Sequence, residues 1–73
     1  MEEDAKTKVE NLKAKGNEHF KRGEYREAIN CYTSALEIDP KNAVLLSNRA
    51  FANFKIVRLI ILYNRLENSL PYL

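Results

Sequence analysis

The sequence predicts an all-α fold, a helix-turn-helix hairpin followed by a long third helix. Three observations carry this reading. Apolar and small residues recur in steps of three and four, the period of a helix with one covered stripe. The strong helix breakers are few, with Gly23 between the first two stripes and Pro40 after the second. No glycine or proline occurs between Ala43 and Ser69, so nothing in that stretch commands a turn.

The first helix carries Val9, Leu12, Gly16, His19 and Phe20 on one stripe. It should end near Lys21-Arg22-Gly23, where cations suit the negative end of the helix dipole and glycine is free to turn left-handed. The second stripe is Tyr25, Ala28, Ile29, Tyr32, Ala35 and Leu36, closed by Asp39-Pro40, because the residue before proline is pushed out of helical space. The short link makes these two helices antiparallel neighbours. Asn42 is a suitable N-cap for the third helix, whose expected covered stripe is Ala43, Leu46, Ala50 and Phe54. Beyond Phe54 the polar face almost disappears. One helix from about Ala43 to Ser69 would be roughly 40 Å long, with Pro71 as its stop. The chain thus divides into an N-terminal extension (1–8), a helical pair (9–42), a third helix that becomes apolar all round (43–70) and a tail (71–73).

Composition excludes several function classes. Seventy-three residues make one small domain of marginal stability, the kind that leans on a disulfide, a metal or a partner. A single cysteine, Cys31, and a single histidine, His19, supply neither an internal disulfide nor a four-ligand zinc site, so no metal and no cofactor are expected. They also cannot form a nucleophile–base–orienter set, and no catalytic residue is expected. Twelve basic residues against ten acidic ones leave the chain nearly neutral, without the basic stripe that nucleic acid requires. Met1-Glu2-Glu3-Asp4 is acidic, unlike a secretory leader, and Arg58 interrupts the short apolar run Ile56–Tyr63, so neither secretion nor a membrane span is expected. A reduced compartment, cytoplasm or nucleus, is the expected setting.

The spacing of Gly16, Tyr25, Ala28, Tyr32, Ala35 and Pro40 resembles the tetratricopeptide repeat, a helix-turn-helix unit of about 34 residues. The match runs from about Val9 to Asn42, and on to about Lys55 as the first helix of a second repeat. It departs at His19, where a tyrosine-like residue is common, at Val57-Arg58-Leu59, where a turn is expected, and at Leu62, Leu66 and Ser69. The resemblance therefore implies a repeat protein cut off after about one and a half units.

A sharper resemblance lies in LKAKGN followed by LLSNRA, which is similar to the carboxylate-clamp repeats of heat-shock co-chaperones. It implies that Lys13, Asn17 and Asn48 grip the terminal carboxylates of cytosolic chaperone tails ending in Glu-Glu-Val-Asp. Phe20, Phe51 and Lys55 would line the same concave face. The chemistry suits the task. Lys13 and Asn17, four apart, share a helix face, a lysine supplies charge, and asparagine amides donate to carboxylate oxygens. The family clamp has five members and this sequence carries three, so weak binding is expected. Each residue also has a plainer reading. Lys13, Asn17 and Asn48 could be surface residues, Phe20, Phe51, Cys31 and His19 packing residues, and Arg49 the partner of an acidic residue of the hairpin.

A helix apolar all round needs cover, and one hairpin offers one face. Val57, Ile60, Ile61, Leu62 and Leu66 are therefore expected to mediate self-association into a homo-oligomer. Two further readings stand beside the adaptor: a self-associating structural module with vestigial clamp residues, and the N-terminal repeat piece of a larger enzyme such as a phosphatase.

Overall fold

The computed structural model describes residues 4–68, with side chains from 4 to 66. It consists of three helices, α1 (Ala5–Lys21), α2 (Tyr25–Ile38) and α3 (Ala43–Asn68). The first residues of the N-terminal extension, the expected helix end at Ser69–Pro71 and the tail 71–73 lie outside the described residues.

α1 begins four residues ahead of Val9. Asp4 is its N-cap, in extended backbone, and its carboxylate accepts from the Thr7 amide at 2.7 Å. That bond holds the Asp4 carboxyl below its ordinary value. The C-terminus is a Schellman turn: Glu24 N–H donates to His19 O at 2.9 Å and Gly23 N–H to Phe20 O at 3.0 Å, with Gly23 at φ 77°. Side chains staple the same turn, because His19 Nδ1 lies 2.8 Å from Glu24 Oε1. His19 therefore serves the turn as a polar clasp, while Phe20 beside it packs on the core.

α2 places its stripe as the periodicity predicts. Ala28, Tyr32, Ala35 and Leu36 are buried, and Tyr25 and Ile29 are half-buried. Gly16 is where α1 meets it closely. A Cβ there would stand 2.5 Å from Tyr32 Cε1, so the Tyr32 ring occupies the space that any side chain at 16 would need. Val9, Leu36 and Leu45 complete the core, with Leu12 and Phe20 against it.

Asn42 caps α3 as expected, accepting from Leu45 N–H at 3.1 Å through Oδ1 while its Nδ2 donates to Asp39 Oδ2 at 3.0 Å. α3 then runs unbroken through residues 55–58, where the repeat pattern would place a turn. Its covered face differs from the one the periodicity suggests. Leu45 and Ala52 are buried and Ile56 is half-buried, whereas Ala43, Leu46, Ala50 and Phe54 are exposed. At about 100° per residue these two sets lie on nearly opposite sides of the helix. Arg49, on the inner side, donates from Nη1 to Thr33 Oγ1 of α2 at 3.4 Å, rather than to an acidic residue. α2 has 14 residues and α3 has 26, so the second half of α3 extends past its neighbour and stretches the molecule to 64 × 21 × 14 Å.

Candidate functional site

The site starts from one amide. Asn17 sits one residue after Gly16, and the close approach at Gly16 brings the Tyr32 ring alongside it. Tyr32 is buried, and a buried phenol needs a partner. Its hydroxyl donates to Asn17 Oδ1 at 2.6 Å. The same oxygen accepts from Asn48 Nδ2 of α3 at 3.3 Å. Two donors thus occupy the one carbonyl of Asn17, and what its side chain has left to offer is its NH2 group, a donor only. Asn48 likewise keeps its second N–H. Burial pushes the Tyr32 phenol above its ordinary value, and its electrostatic interaction with Cys31 adds to that. The hydroxyl therefore stays protonated and donating across the neutral range.

Asn17, Tyr32, Asn48, Phe20 and Phe51 line an open cavity of about 110 Å³ between the three helices. Its floor is polar and its rim aromatic. Phe20 meets the edge of Tyr25 with centroids 5.2 Å apart and lies 5.5 Å from Phe51, which is 6.2 Å from Phe54. Lys55 places its ammonium 5.4 Å from the centre of the Phe51 ring. Phe20 is half-buried, so it both packs and lines; Phe51 is 52% exposed and faces outward.

Four of the six expected peptide-contact residues, Asn17, Asn48, Phe20 and Phe51, thus share one cavity. Lys55 joins them through Phe51. Lys13 stands one turn before Asn17 on α1, half-buried, with its Nζ 3.3 Å from Glu10 Oε2. Two residues go beyond the sequence expectations. Tyr32 belongs to the covered stripe of α2, and its hydroxyl, which a phenylalanine at that core position would lack, is the signal of its polar role. Glu10 meets Lys13, and its signal is the three-residue step between them. The cavity thus sets amide donors beside aromatic faces, with the Lys55 ammonium against the Phe51 ring.

The expected self-association residues Val57, Ile60, Ile61, Leu62 and Leu66 all lie on the extending half of α3, each between 43% and 68% exposed. No helix among the described residues is long and apolar enough to cross a membrane.

A family model described as TPR repeat matches residues 16–57, more than half of the chain. RNA polymerase II-associated protein 3 of Homo sapiens is 50% identical over 50 residues, which is 68% of this chain and 8% of that protein. Its counterpart in Xenopus tropicalis is 57% identical over 44 residues, 60% of this chain and 7% of that protein. Small glutamine-rich tetratricopeptide repeat-containing protein beta of Rattus norvegicus is 49% identical over 49 residues, 67% of this chain and 16% of that protein. The chain therefore spans less than a fifth of these relatives. No solved structure matches it.

Proposed function

This chain belongs to the tetratricopeptide repeat family, and from that premise we propose that it is a non-catalytic protein–protein interaction module of co-chaperone type, which takes the C-terminal carboxylate of an extended peptide. The observation that carries the proposal is the double occupation of Asn17 Oδ1 by Tyr32 and Asn48. It sets the Asn17 amide as a donor before any ligand arrives, and preorganised donors lower the cost of binding. Lys13 supplies the charge, and Phe20, Phe51 and Lys55 hold the apolar residues that precede the carboxylate. Capture of a chain end in this way is an established recognition mode. Peptides ending in Glu-Glu-Val-Asp, as in cytosolic heat-shock chaperones, match the donor set, and the similarity to a small glutamine-rich tetratricopeptide repeat-containing protein supports the interaction role in general. The cytoplasm or the nucleus is the proposed setting.

Three of the five clamp positions lie in this sequence, so the affinity should be low. Each charge-assisted bond lacking costs roughly 1.5–3 kcal/mol, about one to two decades apiece. The test is a titration with a labelled peptide ending in free Glu-Glu-Val-Asp beside the same peptide amidated. Saturable binding that amidation abolishes is the expected result. Equal binding of both peptides, or none of either at millimolar protein, refutes carboxylate capture by this chain.

A further inference from the structure

α3 presents a second apolar stripe that the described residues leave about half exposed. Leu46, Ala50, Phe54, Val57 and Ile61 fall within a narrow arc at 100° per residue, on the side away from Leu45 and Ala52. Leu46 is 42% exposed, Phe54 55%, Val57 52% and Ile61 52%, and Ala50 is exposed as well. The largest apolar patch on a typical monomer spans roughly 300–600 Å² and is often a functional surface. Taking about 200 Å² for a whole large side chain, these four exposures leave on the order of 400 Å² uncovered in each chain. Two such faces together reach about 800 Å², the size of a weak, reversible interface.

We propose that a second copy of this chain covers this stripe, α3 against α3, antiparallel about a two-fold axis beside Phe54. The pattern is self-complementary in that register. Leu46 of one copy faces Ile61 of the other, small Ala50 faces Val57, and the two Phe54 rings flank the axis. A two-fold interface demands this reciprocity, in which residue i meets j and j meets i. Large opposite small is also what lets two helices approach to the 8–10 Å of a packed pair. Phe51 lies about 100° around the helix from the centre of the stripe, Lys55 about 140° and Asn48 about 160°, so the pairing meets the amide cavity only through the Phe54–Phe51 contact and does not rest on the peptide reading.

Sedimentation of the whole chain over roughly 1–500 μM, which brackets the affinities that interfaces of this size reach, should show a monomer–dimer equilibrium. Ile61→Glu should raise the dimer dissociation constant on the order of 100-fold, because each dimer loses two covered side chains and gains two carboxylates. Leu59→Glu, equally exposed on another face, should leave it within about threefold. A monomer throughout, or equal loss by both variants, overturns the proposal. The register has its own readout in a Cys31→Ser background. Chains bearing Ala50→Cys mixed with chains bearing Val57→Cys should cross-link under mild oxidation, and neither alone should, since like positions would sit about 10 Å apart along the axis. Cross-linking of Ala50→Cys with itself refutes the antiparallel arrangement.

Discussion

At the residue scale, Tyr32 ties the core to the site. Its ring fills the space over Gly16 and its hydroxyl holds Asn17. Tyr32→Phe keeps the ring and removes the bond, so it should cost about 0.5–1.5 kcal/mol in urea unfolding. It should also weaken peptide binding, because the Asn17 carbonyl is then held by Asn48 alone, through the longer of its two bonds. The raised Tyr32 phenol gives this residue a pH signature. The folded state holds its proton longer than the unfolded chain, whose phenol titrates near the ordinary 10.0. The contribution is thus complete below pH 10 and is lost as pH rises through the folded value. A pH series of urea midpoints should fall above about pH 10, and Tyr32→Phe should flatten that fall. Gly16→Ala places a methyl group 2.5 Å from a ring that cannot retreat without losing Asn17. It should cost about 1–3 kcal/mol, read as a lower urea midpoint at unchanged slope. Glu10→Gln releases Lys13 from its nearby carboxylate and should tighten binding of the free-carboxylate peptide while leaving the amidated one unchanged.

At the element scale, the ends of the helices are set by local chemistry. Gly23 at φ 77° meets nothing within 4 Å of a built Cβ, so its requirement is conformational and not steric crowding by neighbours. Gly23→Ala should cost about 1 kcal/mol through the left-handed backbone alone, visible as a lower melting temperature. Asp4 stabilises the first turn only while ionised. Its contribution is present above the ordinary 3.8 and is lost as pH falls through the lower folded value. α3 is the contrasting element. Its N-terminus is pinned by Asn42, yet its middle carries apolar residues on every side, and the turn that the repeat pattern places near Val57-Arg58-Leu59 does not form. With no glycine, proline or capping residue there, the helix simply propagates.

For the whole molecule, the length difference between α2 and α3 is decisive. α2 covers α3 as far as about Ile56, and the remainder extends beyond it. Stability should therefore be uneven along one helix. In the monomeric Ile61→Glu chain, amides between Leu45 and Ala52 should exchange slowly and those from Leu59 to Arg65 fast, measured by hydrogen exchange. Equal protection along α3 would mean that cover for the far half comes from somewhere other than a second copy.

The helices, the Gly23 turn, the Asn42 cap and the stripes of α1 and α2 were legible in the sequence, because each follows from local rules: period, cap and breaker. Four of the five residues that line the amide cavity, Asn17, Asn48, Phe20 and Phe51, were named through the family resemblance, whereas Tyr32, which holds the Asn17 amide, was not. The face that α3 turns inward was not legible. Periodicity selects a face only where polar residues mark the other one, and α3 lacks that contrast, so the stripe of Ala43, Leu46, Ala50 and Phe54 is the wrong one and Leu45 and Ala52 are buried instead. Packing settled it, since α2 presents Tyr32, Ala35 and Leu36 as a surface that admits Leu45 and draws Arg49 to Thr33. The orientation of the Asn17 amide was likewise a tertiary decision. Its two donors come from residues 15 and 31 positions away in sequence, and hydrogen bonds at that range exist only once three helices have been brought together.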